Sequence, residues 1–179
     1  MRMVDKAIEF AANAHIGGER KGTKTPYITH PFAVGLLLAE AGCAESVVCA
    51  GILHDTIEDT PVEYDDVVRA FGEEVAMLVT GASEPDKLKT WRKRKEHTLE
   101  YLKTAPKDVC MVSCADKLHN LRCQKRDLHE QGESAWNKFN SSFEDQKWYF
   151  EGIVSSLSAT LAGVPLFEQL QEEVLTIFG

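Results

Sequence analysis

The sequence predicts an all-α protein, and three observations carry that expectation. Apolar residues recur at three- and four-residue spacings almost throughout, no run sustains the period-two alternation of β-branched residues that a half-buried strand requires, and glycine and proline punctuate the pattern. A helix is expected over 3–15, ended by Gly17-Gly18. The basic, glycine-rich stretch "HIGGERKGTKTPYITHP" follows and reads as a loop, ending where Pro31 can take the first turn of a helix over 31–41 that Gly42 stops. Further helices are expected over 45–58, stopped by Pro61, and over 63–71 and 73–82, separated by Gly72. Beyond a break at Pro85 come 88–104, closed by Pro106, and 107–130, closed by Gly132. The last two, 143–162 and 165–177, flank Gly163 to Pro165.

A length of 179 residues suits one domain, 1–179, able to bury roughly 70% of the surface its unfolded chain exposes. No linker, repeat or low-complexity tract divides it. The five cysteines, Cys43, Cys49, Cys110, Cys114 and Cys123, are odd in number and form no C-x-x-C pair, which points away from a disulfide framework and toward a reducing compartment. The N-terminus carries acids within an interrupted apolar pattern and does not read as a signal peptide. The longest uncharged stretch, "GIVSSLSATLAGVPLF", is too short and polar to span a bilayer. A soluble, cytoplasmic protein with no membrane partner is therefore expected.

The net charge of −8 disfavours a nucleic-acid partner, because such binding is dominated by phosphate neutralisation. The cations are nonetheless clustered, with Arg20, Lys21 and Lys24 in one group and Lys87, Lys89 and "RKRK" at 92–95 in another. Local positive patches on an acidic chain suit a compact, phosphate-rich small molecule. A homo-oligomer is compatible with the sequence.

The chemistry concentrates in "CAGILHDTIEDTP", 49–61, where His54, Asp55, Glu58 and Asp59 follow an apolar run. On a continuous helix His54 and Glu58 share a face, and a buried cluster of that kind needs a counter-charge. His30 after "TPYIT" and Asp116 inside the apolar "VCMVSCADKLHNL" offer further ligands from separate segments. Two imidazoles and two carboxylates suit a divalent ion that keeps open positions, such as Mn, Fe or Zn. Glu58 and Asp59 are then placed to move protons beside it. Taken alone, His54-Asp55 reads as a hydrogen-bonded pair at a helix end, Arg20 and Lys21 as solvated loop residues, and "KWYF" at 147–150 as packing. His119, three residues from Asp116, can reach the same pocket, with a supporting or surface role equally open, and Lys117 carries no assigned role; Cys110 and Cys114 read as small core residues.

Five ordered motifs change that balance: "AH" at 14–15, "RKGTKTPYITHP" at 20–31, "GILHDTIEDT" at 51–60, "FGEEVAMLVTGAS" at 71–83 and "ADKLHNLR" at 115–122. From about Val4 to Arg122 the sequence resembles the HD-domain metallohydrolases, and within them the alarmone hydrolase domain of the Rel/SpoT proteins and their small stand-alone relatives. The resemblance implies an HD-type helical bundle in which His30, His54, Asp55 and Asp116 bind Mn2+, another divalent metal remaining open. It implies Glu58 and Asp59 as the catalytic pair, Arg20 and Lys21 beside the purine, and Asn120 at the ribose; Tyr149 is added as a stacking contact for the base. The implied reaction removes the 3'-pyrophosphate from (p)ppGpp, a purine nucleotide, leaving GDP or GTP. No synthetase or regulatory region is expected after the closing helices, so degradation alone is implied.

The chain departs from the family pattern at Gly18, where Gln is common, at Ser113, where Lys is common, and near "GASEPD", where Thr-Lys is common. These positions lie nearer the substrate than the metal and leave the choice of nucleotide open. The alternatives are the same HD site acting on (p)ppApp or NADPH, a nucleotide sensor that binds without turnover, and a structural module without metal.

Overall fold

A computed structural model describes residues 2–84 and 88–179. The break expected at Pro85 and the cation Lys87 lie outside the described residues. Among the described residues there are ten α-helices, one 3-10 helix and no strand. The helices are α1 (Met3–Ala14), α2 (Thr29–Glu40), α3 (Glu45–Leu53), α4 (Thr56–Asp59), α5 (Tyr64–Phe71), α6 (Glu73–Ala82), α7 (Trp91–Leu102), α8 (Lys107–Gln131), α9 (Phe143–Leu161) and α10 (Pro165–Phe178). Among the described residues no helix is long and apolar enough to cross a membrane.

The centre is α3, whose residues from Val47 to Leu53 are all buried, packed by α1, α2, α6 and α8. Its antiparallel partner α2 is joined to it by a short turn in which Gly42 takes φ +73°, a region that disfavours residues with a Cβ. The two helices approach through glycines. A Cβ on Gly35 would lie 2.4 Å from Ile52 Cγ1, and one on Gly51 would lie 2.3 Å from Leu38 Cδ1. Antiparallel packing this close brings the start of α2, with His30, beside the end of α3, with His54.

Two expectations need correction. The helix expected over 45–58 is two helices, because the chain breaks at His54-Asp55. Side chains there compete for the carbonyls that would continue the helix: Thr56 Oγ1 donates to Leu53 O at 2.6 Å, and His54 Nδ1 lies 2.8 Å from Gly51 O. His54 and Glu58 therefore do not share the face of one helix. The stretch after Gly132, read only as a break, contains a 3-10 helix (Gly132–Lys138) that starts at φ +62° and sets Trp136 against Phe143 and Phe178.

The loop before α2 is held by its own backbone rather than left open. Arg20 N donates to Thr25 O at 2.8 Å, Tyr27 N donates to Gly18 O at 2.8 Å, and Glu19 bridges to Pro26. Gly22, at φ +78°, makes the turn. This fixes where Arg20 and Tyr27 project. Opposite them α8 runs 25 residues, presenting its polar face to the site and its apolar face to the core. Cys110 and Cys114 lie in that core, where burial pushes the Cys114 thiol up to about 12.

Candidate metal centre and nucleotide cavity

Three side chains from three elements converge at the middle of the molecule. Ligand atoms of His30, His54 and Asp116 all lie within 4.8 Å of one another, and all three residues are buried. His30 is 1% exposed and His54 2%, so water alone does not account for their polar atoms. The fourth expected ligand, Asp55, stands close by. Its Oδ2 is 3.1 Å from His54 Nε2 and 3.7 Å from His30 Nε2.

The orientation of each ring follows from its other nitrogen. His54 Nδ1 faces the Gly51 carbonyl, which can only accept, so Nδ1 carries the proton and Nε2 presents its lone pair to the cluster. That Nε2 is buried and makes no hydrogen bond; Asp55 Oδ2 is near it but out of line for one. His30 Nδ1 lies 2.7 Å from His119 Nδ1, a contact that is favourable when one neutral ring donates to the other. Its Nε2 then faces Asp116 Oδ1 at 3.1 Å.

Electrostatics agree with a site built for positive charge. Burial opposes ionisation of Asp116, yet the Lys117 ammonium and the neighbouring imidazoles hold it well below the usual carboxylate range. Lys117 Nζ sits 2.5 Å from Asp116 Oδ2, and Asn120 Nδ2 donates to Asp116 Oδ1 at 2.6 Å. Asp55 is likewise depressed, with His54 outweighing the cost of burial. Burial lowers His30 and so favours its neutral form, and it lowers His119 to about 4, assisted by His30 and Arg20. For His54 burial works in the same direction but Asp55 and Asp116 overcome it, raising the ring to about 9.

The residues fit a divalent ion. Two imidazole nitrogens and the Asp116 carboxylate, with Asp55 beside them, supply the donor set, an orphaned buried nitrogen points into it, and hydrogen bonds behind the rings fix their tautomers.

The other expected site residues surround this floor. Glu58 and Asp59 line the same cleft, of about 370 Å³, as His30, Asp55 and Asp116. Glu58 Oε2 accepts from Glu84 N at 2.9 Å, and burial, with Asp55, Glu84 and Asp59 adding to it, raises its carboxyl. Asp59 is exposed, with Tyr27 Oη 3.4 Å away. Arg20 Nη2 donates to Asn120 Oδ1 at 2.8 Å and covers the Tyr27 ring at 5.6 Å. Lys21 is an exposed rim residue. A larger cavity of about 460 Å³ opens beyond Arg20 and Asn120, with aromatic walls from Trp136, Phe139 and Phe150.

Tyr149 corrects one expectation. It is 3% exposed, its ring packs on Trp91, Trp148 and Phe150, and the Lys95 and Lys117 ammoniums lie 4.7 and 5.9 Å from its centroid. Those neighbours occupy its faces, so stacking on a base is not available to it. Its unpaired hydroxyl still lines the larger cavity.

Several contributors were missed from sequence. Tyr27, which lies in the 20–31 motif between Arg20, Lys21 and His30, donates to Asp55 Oδ2 at 2.6 Å. Glu84 gathers Arg94 at 2.9 Å and Lys95, so two cations of "RKRK" turn inward to the cleft. Burial opposes ionisation of Glu84, but Lys95, Lys117 and Arg94 lower it overall. Periodicity alone could not tell which members of a basic run face inward.

An HD domain matches residues 7–140, and the chain belongs to that family, which implies a divalent metal. Within it, the chain is 39% identical over 128 residues to the GTP pyrophosphokinase of Streptomyces coelicolor, covering 70% of this chain and 15% of that protein. It is also 39% identical over 128 residues to the bifunctional (p)ppGpp synthase/hydrolase SpoT of Escherichia coli, covering 68% of this chain and 18% of the other. The chain thus spans under a fifth of the length of these relatives. A solved structure described as a metazoan ortholog of SpoT that hydrolyzes ppGpp superposes with a TM-score of 0.79 at 28% identity, covering 98% of this chain and 96% of that one.

Proposed function

We propose that this protein is a metal-dependent hydrolase that removes the 3'-pyrophosphate from (p)ppGpp, yielding GDP or GTP and pyrophosphate. One observation carries the reading: His30, His54 and Asp116 converge, buried, on the floor of a cleft that also contains a carboxylate pair and inward-facing cations. The names of the relatives and of the superposed structure support the same chemistry.

His30, His54, Asp55 and Asp116 would hold the ion; mixed imidazole and carboxylate ligands suit a borderline to hard divalent metal, and the resemblance to the alarmone hydrolases implies Mn2+. When bound, such an ion supplies Lewis acidity, acidifying water and neutralising charge on the phosphate. The reaction joins a water oxygen to the phosphorus on the ribose 3' oxygen and breaks the bond from that phosphorus to the 3' oxygen, which must gain a proton. Glu58 and Asp59 take the proton from water and return one to the leaving oxygen; a raised Glu58 carboxyl is suited to exchanging protons nearer neutrality than an exposed one. Lys117, Arg94 and Lys95 place cationic donors around the cleft, where they draw in and hold a pyrophosphate. Arg20 and Lys21 flank the purine, Asn120 meets the ribose, and the Tyr149 hydroxyl faces the nucleoside side. The whole chain, 1–179, acts as one HD-type hydrolase domain.

Purified protein supplied with MnCl2 and ppGpp is expected to release GDP and pyrophosphate, and Asp55→Ala to remove that activity while leaving the helical circular dichroism intact. Equal turnover by wild type and Asp55→Ala would overturn the assignment. Parallel assays with ppApp and NADPH separate the guanine alarmone from the other substrates a shared HD site could take.

A further inference from the structure

The wall of the larger cavity holds a group that the proposed chemistry does not use. Gln124 on α8 is 4% exposed, and neither its amide nitrogen nor its amide oxygen has a hydrogen-bond partner. A buried amide with both ends open destabilises the fold and is uncommon, so its retention asks for a ligand. Gln124 lines the cavity of about 460 Å³, a size suited to a small organic molecule. Its neighbour Gln146, by contrast, gives its amide to Ser141 Oγ at 2.6 Å.

Helix geometry says which part of a nucleotide would reach it. Asp116, Asn120 and Gln124 follow one another at four-residue steps along one face of α8. With a rise of about 1.5 Å per residue they stand roughly 6 and 12 Å apart from the first along the axis. A nucleoside 3'-phosphate has the same order and scale, with phosphorus, sugar and then base. Phosphorus at the charged floor and ribose one turn further leave the base at the second turn, between Gln124 and the aromatic walls.

We infer that Gln124 is a specificity-determining residue that reads the hydrogen-bonding edge of a guanine base, donating from Nε2 to the C6 carbonyl and accepting at Oε1 from N1–H. This rests on the reading of the chain as a purine 3'-pyrophosphohydrolase. A flipped amide would match the corresponding edge of adenine, so the neighbours decide. Lys138 and Arg126 line the same cavity and can only donate, which favours a carbonyl oxygen over an exocyclic amine. Asp127, the acid beside them, is already engaged by Lys138 and by Arg126 at 3.5 Å.

Gln124→Met keeps the volume and removes both polar ends. Its apo protein is expected to melt higher than wild type, because an unpaired amide has left the interior. KM for ppGpp should rise by about tenfold or more with kcat nearly unchanged, and the preference for ppGpp over ppApp should fall toward one. GDP binding, followed by calorimetry without turnover, should weaken by a similar factor. Gln124→Glu, which keeps an acceptor and loses the donor, should also lose guanine preference. Unchanged KM, preference and GDP affinity in either variant of an active enzyme would overturn the inference and leave the hydrolase reading intact. GDP binding that depends on Gln124 in a wild type that hydrolyses nothing would keep the inference and remove the hydrolase reading. No purine nucleotide binding by wild type would remove both.

Discussion

The charged floor and the aromatic-walled cavity meet along one face of α8, yet they are built on opposite terms. On the floor most polar atoms are engaged: Asp116 by Lys117 and Asn120, Asp55 by Tyr27, His30 by His119, while the orphaned His54 Nε2 points at the centre. In the cavity aromatic walls stand beside charges that pair with one another, such as Asp127 with Lys138, while the Gln124 amide and the Tyr149 hydroxyl stand unpaired. Charges buried without partners cost several kcal/mol each, so the floor must be preorganised by the protein itself. Neutral dipoles cost less and can wait for a ligand. Under the proposed function the floor governs whether reaction occurs, and the cavity governs on what.

The largest effect that separates the two regions should come from the floor's own imidazoles. His54→Ala should lower kcat for ppGpp by about 10³-fold or more while GDP binding in the cavity survives. Chelation of wild type should reproduce that loss, and added Mn2+ should restore it only in wild type. Loss of GDP affinity equal to the loss of kcat would show that the two regions are not separable.

A smaller effect should follow from the packing beneath the floor. Gly35→Ala places a Cβ against Ile52 Cγ1, an atom near the backbone that cannot simply swing away, whereas the contact at Gly51 is with the mobile end of Leu38. Overpacking of this kind costs about 1–3 kcal/mol and separates His30 from His54. A shift of about 1 Å at the reacting centre lowers kcat by about 10²-fold. Urea melts and steady-state kinetics on the same preparation check both; an unchanged kcat would show that the α2–α3 approach does not position the rings.

How far the sequence could be read follows the same division. The floor was legible because its side chains lie in short contiguous motifs, and His30, His54, Asp55 and Asp116 do come together. The helix order was legible because Gly42, Gly72, Pro106 and Gly163 are strong local stops. The break at His54-Asp55 was not, since it arises from side chains capturing carbonyls three residues back, which a periodicity of apolar residues does not register. The cavity was the least legible part. Gln124, Trp136 and Phe139 lie outside the motifs, and an unpaired amide is visible only once its surroundings are known.

Lys117 sits where the two regions touch and should produce a mixed result. Lys117→Met removes the ammonium from Asp116 Oδ2 and leaves the floor more negative. The apo protein should lose about 2 kcal/mol, less than the ~3–5 kcal/mol of a fully orphaned buried charge, because Asn120 still donates to Asp116. The rise in melting temperature on adding Mn2+ should grow, while KM for ppGpp increases. A smaller metal-induced rise than in wild type would contradict the placing of Lys117 as a competitor for Asp116.

The smallest expected effect tests whether Glu58 belongs to the strained, charged side of the comparison. Burial is the main reason its carboxyl is raised above the ordinary 4.5, with Asp55, Glu84 and Asp59 adding repulsion against a single backbone hydrogen bond from Glu84. A group whose folded pKa is raised contributes stability in full below its unfolded pKa and loses it as pH rises through the folded one. Glu58→Gln does not titrate and should therefore be more stable than wild type at neutral pH, by about 1 kcal/mol or less. That advantage should shrink toward zero below about pH 4, where Glu58 is neutral in both states. Denaturant melts across this range, run with chelator so that no cation offsets the carboxylates, read the difference directly. An advantage that stays constant with pH would show that the substitution acts through packing rather than charge, and would remove Glu58 from the group of carboxylates whose mutual repulsion the floor sustains.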